Sequence, residues 1–139
     1  MAVITESIEI NRPAKDVEQT YTDWTQYPNF IPFIEDVQML GDDTFECQLR
    51  IAGMTFGYTA DVKKLKEMEY SWETTRGDLV HKGKAIIESL DAKRSRLTLT
   101  VDYHIPGPVL AGRISNWLGL ANTGIRSSLE NFRAYSESL

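Results

Sequence analysis

The chain has a single cysteine, Cys47, among its 139 residues, so no intrachain disulfide can form. Its two histidines, His81 and His104, come without any Cys-x-x-Cys spacing. A standard zinc site lacks its ligands, and neither a metal nor a cofactor is expected. The opening residues, Met1-Ala2-Val3-Ile4-Thr5-Glu6, lack the basic segment and apolar run of a signal peptide. No stretch approaches the ~20 apolar residues that span a bilayer. These absences lead to the expectation of a cytoplasmic protein with no integral membrane segment. Basic charge is also scarce: 15 Lys and Arg face 20 Asp and Glu, for a net charge of −5. A field of that sign does nothing to attract a phosphate backbone, so no nucleic-acid partner is expected. Internal repeats and low-complexity segments are missing too.

What remains is ordinary globular composition, 42% hydrophobic and 25% charged, which excludes disordered and collagen-like chains. The length suits one domain, residues 1–139. A chain this long hides roughly two-thirds of its unfolded surface and needs no staples. Oligomeric state is left open.

Along the chain, Ser7-Ile8-Glu9-Ile10 alternates as a half-buried strand, and Asn11-Arg12-Pro13 stops it. Proline is tolerated in a first helical turn. Ala14, Val17, Tyr21 and Trp24 then recur at helical spacing. Pro28 and Pro32 forbid a long helix, so Trp24 to Phe33 reads as one or two short turns. A succession of strands follows. Glu35 to Leu40 closes at Gly41-Asp42-Asp43. Phe45, Cys47, Leu49 and Ile51 share one face of the next strand, which turns at Gly53. Phe56, Tyr58, Ala60 and Val62 share one face of another, and Tyr70, Trp72 and Thr74 of the one after, before a turn at Arg76-Gly77-Asp78. Val80 to Leu90 is a strand whose inward face is undecided between His81, Gly83, Ala85, Ile87 and Val80, Lys82, Ile86, Leu90. Leu97, Leu99, Val101, Tyr103 and Ile105 close the series. Short connections favour antiparallel pairing, and one apolar face per strand suits a sheet covered on one side.

Ile105-Pro106-Gly107-Pro108 breaks the last strand. Beyond it, Leu110, Ile114, Trp117, Leu118, Ala121, Ile125, Leu129 and Phe132 form one stripe of a long helix reaching Leu139. Gly119 and Gly124 each weaken a helix by ~1 kcal/mol relative to alanine, which leaves a break near them open. The stripe passes from bulky Ile114, Trp117 and Leu118 through small Ala121, Gly124 and Ser128 to bulky Leu129 and Phe132. Small residues facing a sheet either let it approach or leave a hollow. The hollow, if formed, would be roofed by the helix and floored by Cys47, Leu49, Phe56, Tyr58, Trp72, Leu99, Val101 and Tyr103. Mostly apolar walls with a few placed polar groups are what ligand pockets need. Trp24, Tyr27 and Phe30 either plug the end of the sheet or act as a lid beside an entrance.

The segment Thr22-Asp23-Trp24-Thr25-Gln26-Tyr27-Pro28-Asn29-Phe30-Ile31-Pro32 resembles the D-W-x-x-Y-P-x-F-x-P stretch of the polyketide cyclase/dehydrase and coenzyme Q-binding branch of the START-like superfamily. Ile8-Glu9-Ile10-Asn11-Arg12-Pro13-Ala14 and the closing segment from Tyr103 to Glu137 are similar to the same family, so the likeness spans the chain. The resemblance implies an α+β helix-grip fold. In it, a seven-stranded curved antiparallel sheet wraps a long C-terminal helix, and two short helices follow the first strand. It does not fix activity, because the superfamily holds lipid carriers, receptors and cyclases.

The functional expectation is a binding module: a hydrophobic small molecule (lipid, isoprenoid or quinone, or aromatic polyketide) carried between sheet and helix. The alternative is a polyketide aromatase/cyclase, for which Tyr58, Tyr103, Arg76 and His81 are the available acid/base groups. Such an enzyme calls for an ionisable side chain in the cavity with its pKa moved toward neutrality. A protein–protein interaction module is a third reading, and it calls for a filled interior and an exposed apolar patch. His104 falls on the polar face of its strand. Cys47 is expected buried and inert. Glu6 and Glu9 have no partner that the sequence identifies.

Overall fold

In the hairpin between Ile51 and Met54, two successive residues take left-handed backbone angles, Ala52 at φ 52° and Gly53 at φ 76°. This is the two-residue turn that matches the twist of antiparallel strands. Short links of this kind join the strands that follow one another across the sheet. A computed structural model describes residues 2–104, 112 and 117–139. The strands are β1 (Ala2–Ile10), β2 (Ile34–Met39), β3 (Thr44–Ile51), β4 (Met54–Lys66), β5 (Glu69–Gly77), β6 (His81–Asp91) and β7 (Arg94–Tyr103). They form one seven-stranded sheet in the order β1-β7-β6-β5-β4-β3-β2, every pair antiparallel. β1 pairs with the last strand, and the chain must then reach the opposite edge. Helix α1 (Ala14–Tyr21) and a 3₁₀ turn (Trp24–Asn29, with Pro28 inside) carry it there. The last helix, α2, runs from Trp117 to Ser138. The curved antiparallel sheet around a terminal helix is the helix-grip fold.

α2 is continuous through Gly119 and Gly124, so the break left open by the sequence does not occur. The two glycines cost about 2 kcal/mol together. Packing on both sides of them offsets this: Trp117 is buried at one end of the helix, Leu129 and Phe132 further along. The expected strand break at Ile105–Pro108, and Leu110 and Ile114, lie outside the described residues.

The undecided face of β6 is settled by its neighbour. Tyr70 pairs directly with Ala85, and Trp72 with Gly83. Large rings on β5 sit over small residues on β6, so His81, Gly83, Ala85 and Ile87 face inward. Ala85 and Ile87 are buried, whereas Val80 is 52% exposed.

The register of β4 and β5 shifts between Thr59 and Ala60: Thr59 pairs with Arg76, but Ala60 pairs with Thr74. The extra residue is Thr75, and a bulge of this kind reverses the side-chain parity beyond it. Arg76 therefore leaves the face shared by Tyr70 and Trp72. It lies exposed on the outer side, its Nε 3.4 Å from Thr59 Oγ1, and it is removed from the acid/base candidates.

Glu6 and Glu9 do have partners, both too distant in sequence, or across strands, to read from spacing. Glu6 pairs with Arg126 on α2 at 3.1 Å and Glu9 with Arg96 at 3.9 Å. Exposed pairs of this sort contribute ~0–1 kcal/mol.

Buried side chains form two clusters. One joins α1, β5–β7 and the far part of α2 through Val17, Tyr70, Ile87, Leu97, Leu129 and Phe132. The other joins β2–β4, Tyr103 and the near end of α2 through Cys47, Leu49, Phe56 and Trp117.

Candidate functional site

Between the two clusters the inward side chains stop being solvent-excluded. Tyr58, Trp72, Leu99, Val101, Ala121, Gly124, Ile125 and Ser128 all face the interior, yet each is only half-buried. The surface they keep borders a cavity of about 540 Å³ between the sheet and α2. The helix explains its position. Trp117 and, three turns on, Leu129 and Phe132 are wedged into the clusters. Ala121, Gly124 and Ser128 lie between them and are too short to reach the sheet. An added Cβ at Gly124 would meet nothing closer than Phe33, at 3.8 Å.

The structure brings most of the candidate residues to this cavity. From the sheet, Cys47, Leu49, Tyr58, Trp72, Leu99, Val101 and Tyr103 line it, and from α2 Trp117, Ala121, Gly124 and Ser128 do so. Two candidates stand elsewhere. Phe56 is 2% exposed and packs behind the lining, edge-on to Trp117 with ring centroids 5.9 Å apart. Leu118 is 54% exposed; the buried side of α2 starts at Trp117 and drifts round toward Ser136, leaving Leu118 on the flank. Ile114 lies outside the described residues. Of the expected lid, Trp24 and Tyr27 border the cavity. Phe30 instead stacks on Tyr135 at 4.4 Å and meets Phe132, pinning the 3₁₀ turn to α2. Trp24 stacks on Phe45, and the Tyr27 hydroxyl donates to the Tyr21 carbonyl at 2.8 Å.

His81 also lines the cavity. Its place follows from Gly83: a Cβ there would overlap the Thr100 carbonyl oxygen and the Trp72 ring, with Cζ2 of Trp72 at 2.6 Å. Glycine lets the indole lie across β6, and Trp72 Nε1 donates to His81 Nδ1 at 2.9 Å. An accepting Nδ1 carries no proton, so in the neutral ring Nε2 carries it. Burial pushes the imidazole pKa from 6.5 down to about 4. The Tyr58 ring stands edge-on to His81, centroids 4.5 Å apart. Burial, then the adjacent Cys47 thiol, hold the Tyr58 hydroxyl well above its ordinary pKa, and burial pushes Cys47 up to about 11. At neutral pH these interior groups carry no charge. The Tyr103 hydroxyl and Trp117 Nε1 are fully enclosed and lack a hydrogen-bond partner among the described residues.

Sequence reasoning left His81 undecided and missed Phe45, Val62, Leu79 and Ile125 in the lining. A usable signal was present for His81: adjacent bulky Tyr70 and Trp72 require small partners, and Gly83 and Ala85 are the only such alternating pair on the next strand. His104, expected on the polar face, is exposed and touches the rim. Among the described residues no cluster of three or more His, Cys, Asp or Glu side chains could hold a metal ion. No described helix is long and apolar enough to cross a membrane.

A terminal helix gripped by a curved sheet over a mostly apolar hollow is a fold shared with solved proteins and with one family of sequences. The family model described as "Polyketide cyclase / dehydrase and lipid transport" matches residues 1–137, and the chain belongs to that family. An uncharacterized 17.2 kDa protein of the melC2-rnhH intergenic region of Streptomyces lincolnensis is 24% identical, over 99% of this chain and 91% of its own. The Zhui aromatase/cyclase of a Streptomyces species superposes with a TM-score of 0.84 at 17% identity, covering 98% of this chain and 93% of that one. A START superfamily protein from Mycobacterium smegmatis superposes with a TM-score of 0.73 at 16% identity, covering 92% and 97%.

Proposed function

We propose that this protein binds a hydrophobic small molecule in the cavity between sheet and α2. The observation that carries this reading is the cavity itself, about 540 Å³ and walled by aromatic and aliphatic side chains, within the size range of small-molecule sites. A lipid, an isoprenoid or quinone, or an aromatic polyketide has the matching chemistry. The interaction-module reading calls for a filled interior, and the hollow argues against it.

A second reading, a polyketide aromatase/cyclase, draws on His81 and Tyr58 inside the cavity and on the family description. Acid–base catalysis at neutral pH is best served by a group whose pKa lies near 7. His81 is displaced the other way, to about 4, and Tyr58 upward. Binding therefore accounts for the polar groups better than proton transfer does.

The test is titration with N-phenylnaphthylamine, a neutral probe that brightens in apolar surroundings. Wild type should bind it. Gly124→Leu and Ala121→Phe, which project into the hollow, should lower affinity at least ~10-fold while circular dichroism stays unchanged. Undiminished affinity in folded variants would place the binding site elsewhere. Native mass spectrometry of freshly purified protein would identify a retained guest, and conversion of that guest on incubation would decide for the enzyme.

A further inference from the structure

The cavity is not uniformly greasy. Among the described residues His81 Nε2 has no hydrogen-bond partner, and it is not among the fully enclosed polar atoms; nor is the Tyr58 hydroxyl, which interacts with the Cys47 thiol. They retain surface, and the cavity is what both residues line. Trp72 dictates the character of the first: by donating to Nδ1 at 2.9 Å it makes Nε2 a hydrogen-bond donor. The Tyr58 ring stands edge-on beside the imidazole, centroids 4.5 Å apart, and its hydroxyl can turn from the weakly accepting Cys47 sulfur toward a guest.

We propose that His81 and Tyr58 form a donor site that recognises a neutral carbonyl oxygen on a flat, ring-containing guest, with Trp72 as the positioning residue. The proposal rests on the cavity being the binding site. Three kinds of guest compete for it. A pure hydrocarbon would strip water from the Nε2–H and leave it unpaired, which costs more than an ordinary hydrogen bond contributes. A carboxylate would enter a compartment whose polar groups are uncharged. Among the described residues the Lys or Arg side chain on the lining is Arg50, which is on the outer rim beside Glu35 at 3.6 Å, its side chain 59% exposed. An unpaired buried anion is heavily penalised. A ketone or quinone-like oxygen accepts the hydrogen bond and brings no charge. Flatness follows from the walls, because Trp24, Tyr27, Phe45, Tyr58 and Trp72 present ring faces and edges to the same space.

Fluorenone and fluorene test this directly, since they share size and planarity and differ by C=O against CH₂. Isothermal titration with wild type should give fluorenone an affinity ~3–10-fold above fluorene, the worth of one neutral hydrogen bond, and fluorenecarboxylate the weakest of the three. His81→Phe should abolish the preference for fluorenone while fluorene still binds; Tyr58→Phe should reduce it. Trp72→Phe frees the imidazole tautomer, so the preference should fall and the ¹⁵N shifts of His81 should lose the signature of a fixed Nε2–H. That spectroscopic change is one a merely structural role for Trp72 would not produce. Should His81→Phe fail to fold, the ¹⁵N spectrum of wild type stands in its place: on adding fluorenone the Nε2–H must shift, and on adding fluorene it must not. Equal binding of the two compounds overturns the donor site and leaves the cavity reading intact. Binding of neither overturns the cavity reading, and the donor site with it.

Discussion

Gly83 is the residue on which the polar end of the cavity depends, and Gly83→Ala is the perturbation that isolates it. Two effects oppose each other. Replacing a strand glycine by alanine normally stabilises by ~0.5–1 kcal/mol, through lost freedom of the unfolded chain. Against that, the new methyl overlaps a main-chain atom, the Thr100 carbonyl oxygen, and the six-membered part of the Trp72 indole. A main-chain oxygen within a ladder cannot swing aside, and Trp72 is held by its bond to His81. Overpacking of this sort costs ~1–3 kcal/mol, and the loss of the indole–imidazole bond adds ~1 kcal/mol. The steric terms win, leaving a net destabilisation of about 1–3 kcal/mol. At roughly 4 °C per kcal/mol for a domain of this size, thermal unfolding followed by near-ultraviolet circular dichroism should drop by about 4–12 °C. Combining Gly83→Ala with Trp72→Phe removes one of the two overlaps, so the double variant should lose less than the sum of the singles. A Gly83→Ala protein with an unchanged or higher melting temperature, and an unaltered Trp72 spectrum, would show that the glycine is not a point of close approach and that His81 is placed by something else.

Other consequences can be checked with less effort. His81 has its pKa depressed from 6.5 to about 4 in the fold, so between those values the unfolded chain binds the extra proton. Stability should therefore be complete above pH 6.5 and fall as the pH drops, by about 3 kcal/mol at pH 4; His81→Phe should flatten that part of the denaturation-versus-pH profile. Trp117 is buried against Phe56, and Trp117→Ala should cost ~3–5 kcal/mol by chemical denaturation, against little change for Leu118→Ala on the exposed flank. Arg12 donates from Nε to the Ser136 carbonyl at 3.1 Å and from Nη2 to the Glu137 and Leu139 carbonyls, the acceptors a helix end leaves open. Arg12→Ala should speed amide exchange in the last turn of α2 at least several-fold and leave the central strands protected.

The sheet was legible because period-two alternation is local: from Phe45 to Val62 and from Leu97 to Tyr103 each strand announces its own inward face. The number of strands and their antiparallel pairing came from the family likeness, but the order did not, since no local signal tells β1 to pair with β7. Arg76 shows where local reading fails. Its parity from Trp72 is right until the bulge at Thr75, and a bulge is decided by the partner strand. His81 was left open for a related reason: the facing strand, not its own, selects its orientation. Phe56 shares the inward face of Tyr58 but lies further toward Trp117, where the helix is bulky and the gap is closed. Which inward residues touch the hollow depends on the height of the helix residue opposite, and a strand pattern carries no record of that. Glu6 and Arg126 are separated by most of the chain, and only the docking of α2 on β1 joins them.

The division of α2 into bulky ends and a small middle also separates stability from binding. An internal void costs ~24 cal/mol per Å³ when it stays dry and empty. At about 540 Å³ that would come to about 13 kcal/mol, near the upper end of what a whole domain has to spare. A hollow of this size must therefore be wet or filled. Its walls are mostly apolar, and water there finds few of the two to four partners that hold it in place. The apolar stretch bounded by Ala121 and Gly124 therefore disfavours water, whereas the end at His81, Tyr58 and Trp72 can hold either water or the oxygen of a guest. A guest with one polar end would replace water where water is poorly held and match it where it is well held. Trp117, Leu129 and Phe132 fix the helix whether or not the hollow is occupied, so the middle residues are free to shape the occupant without risking the fold.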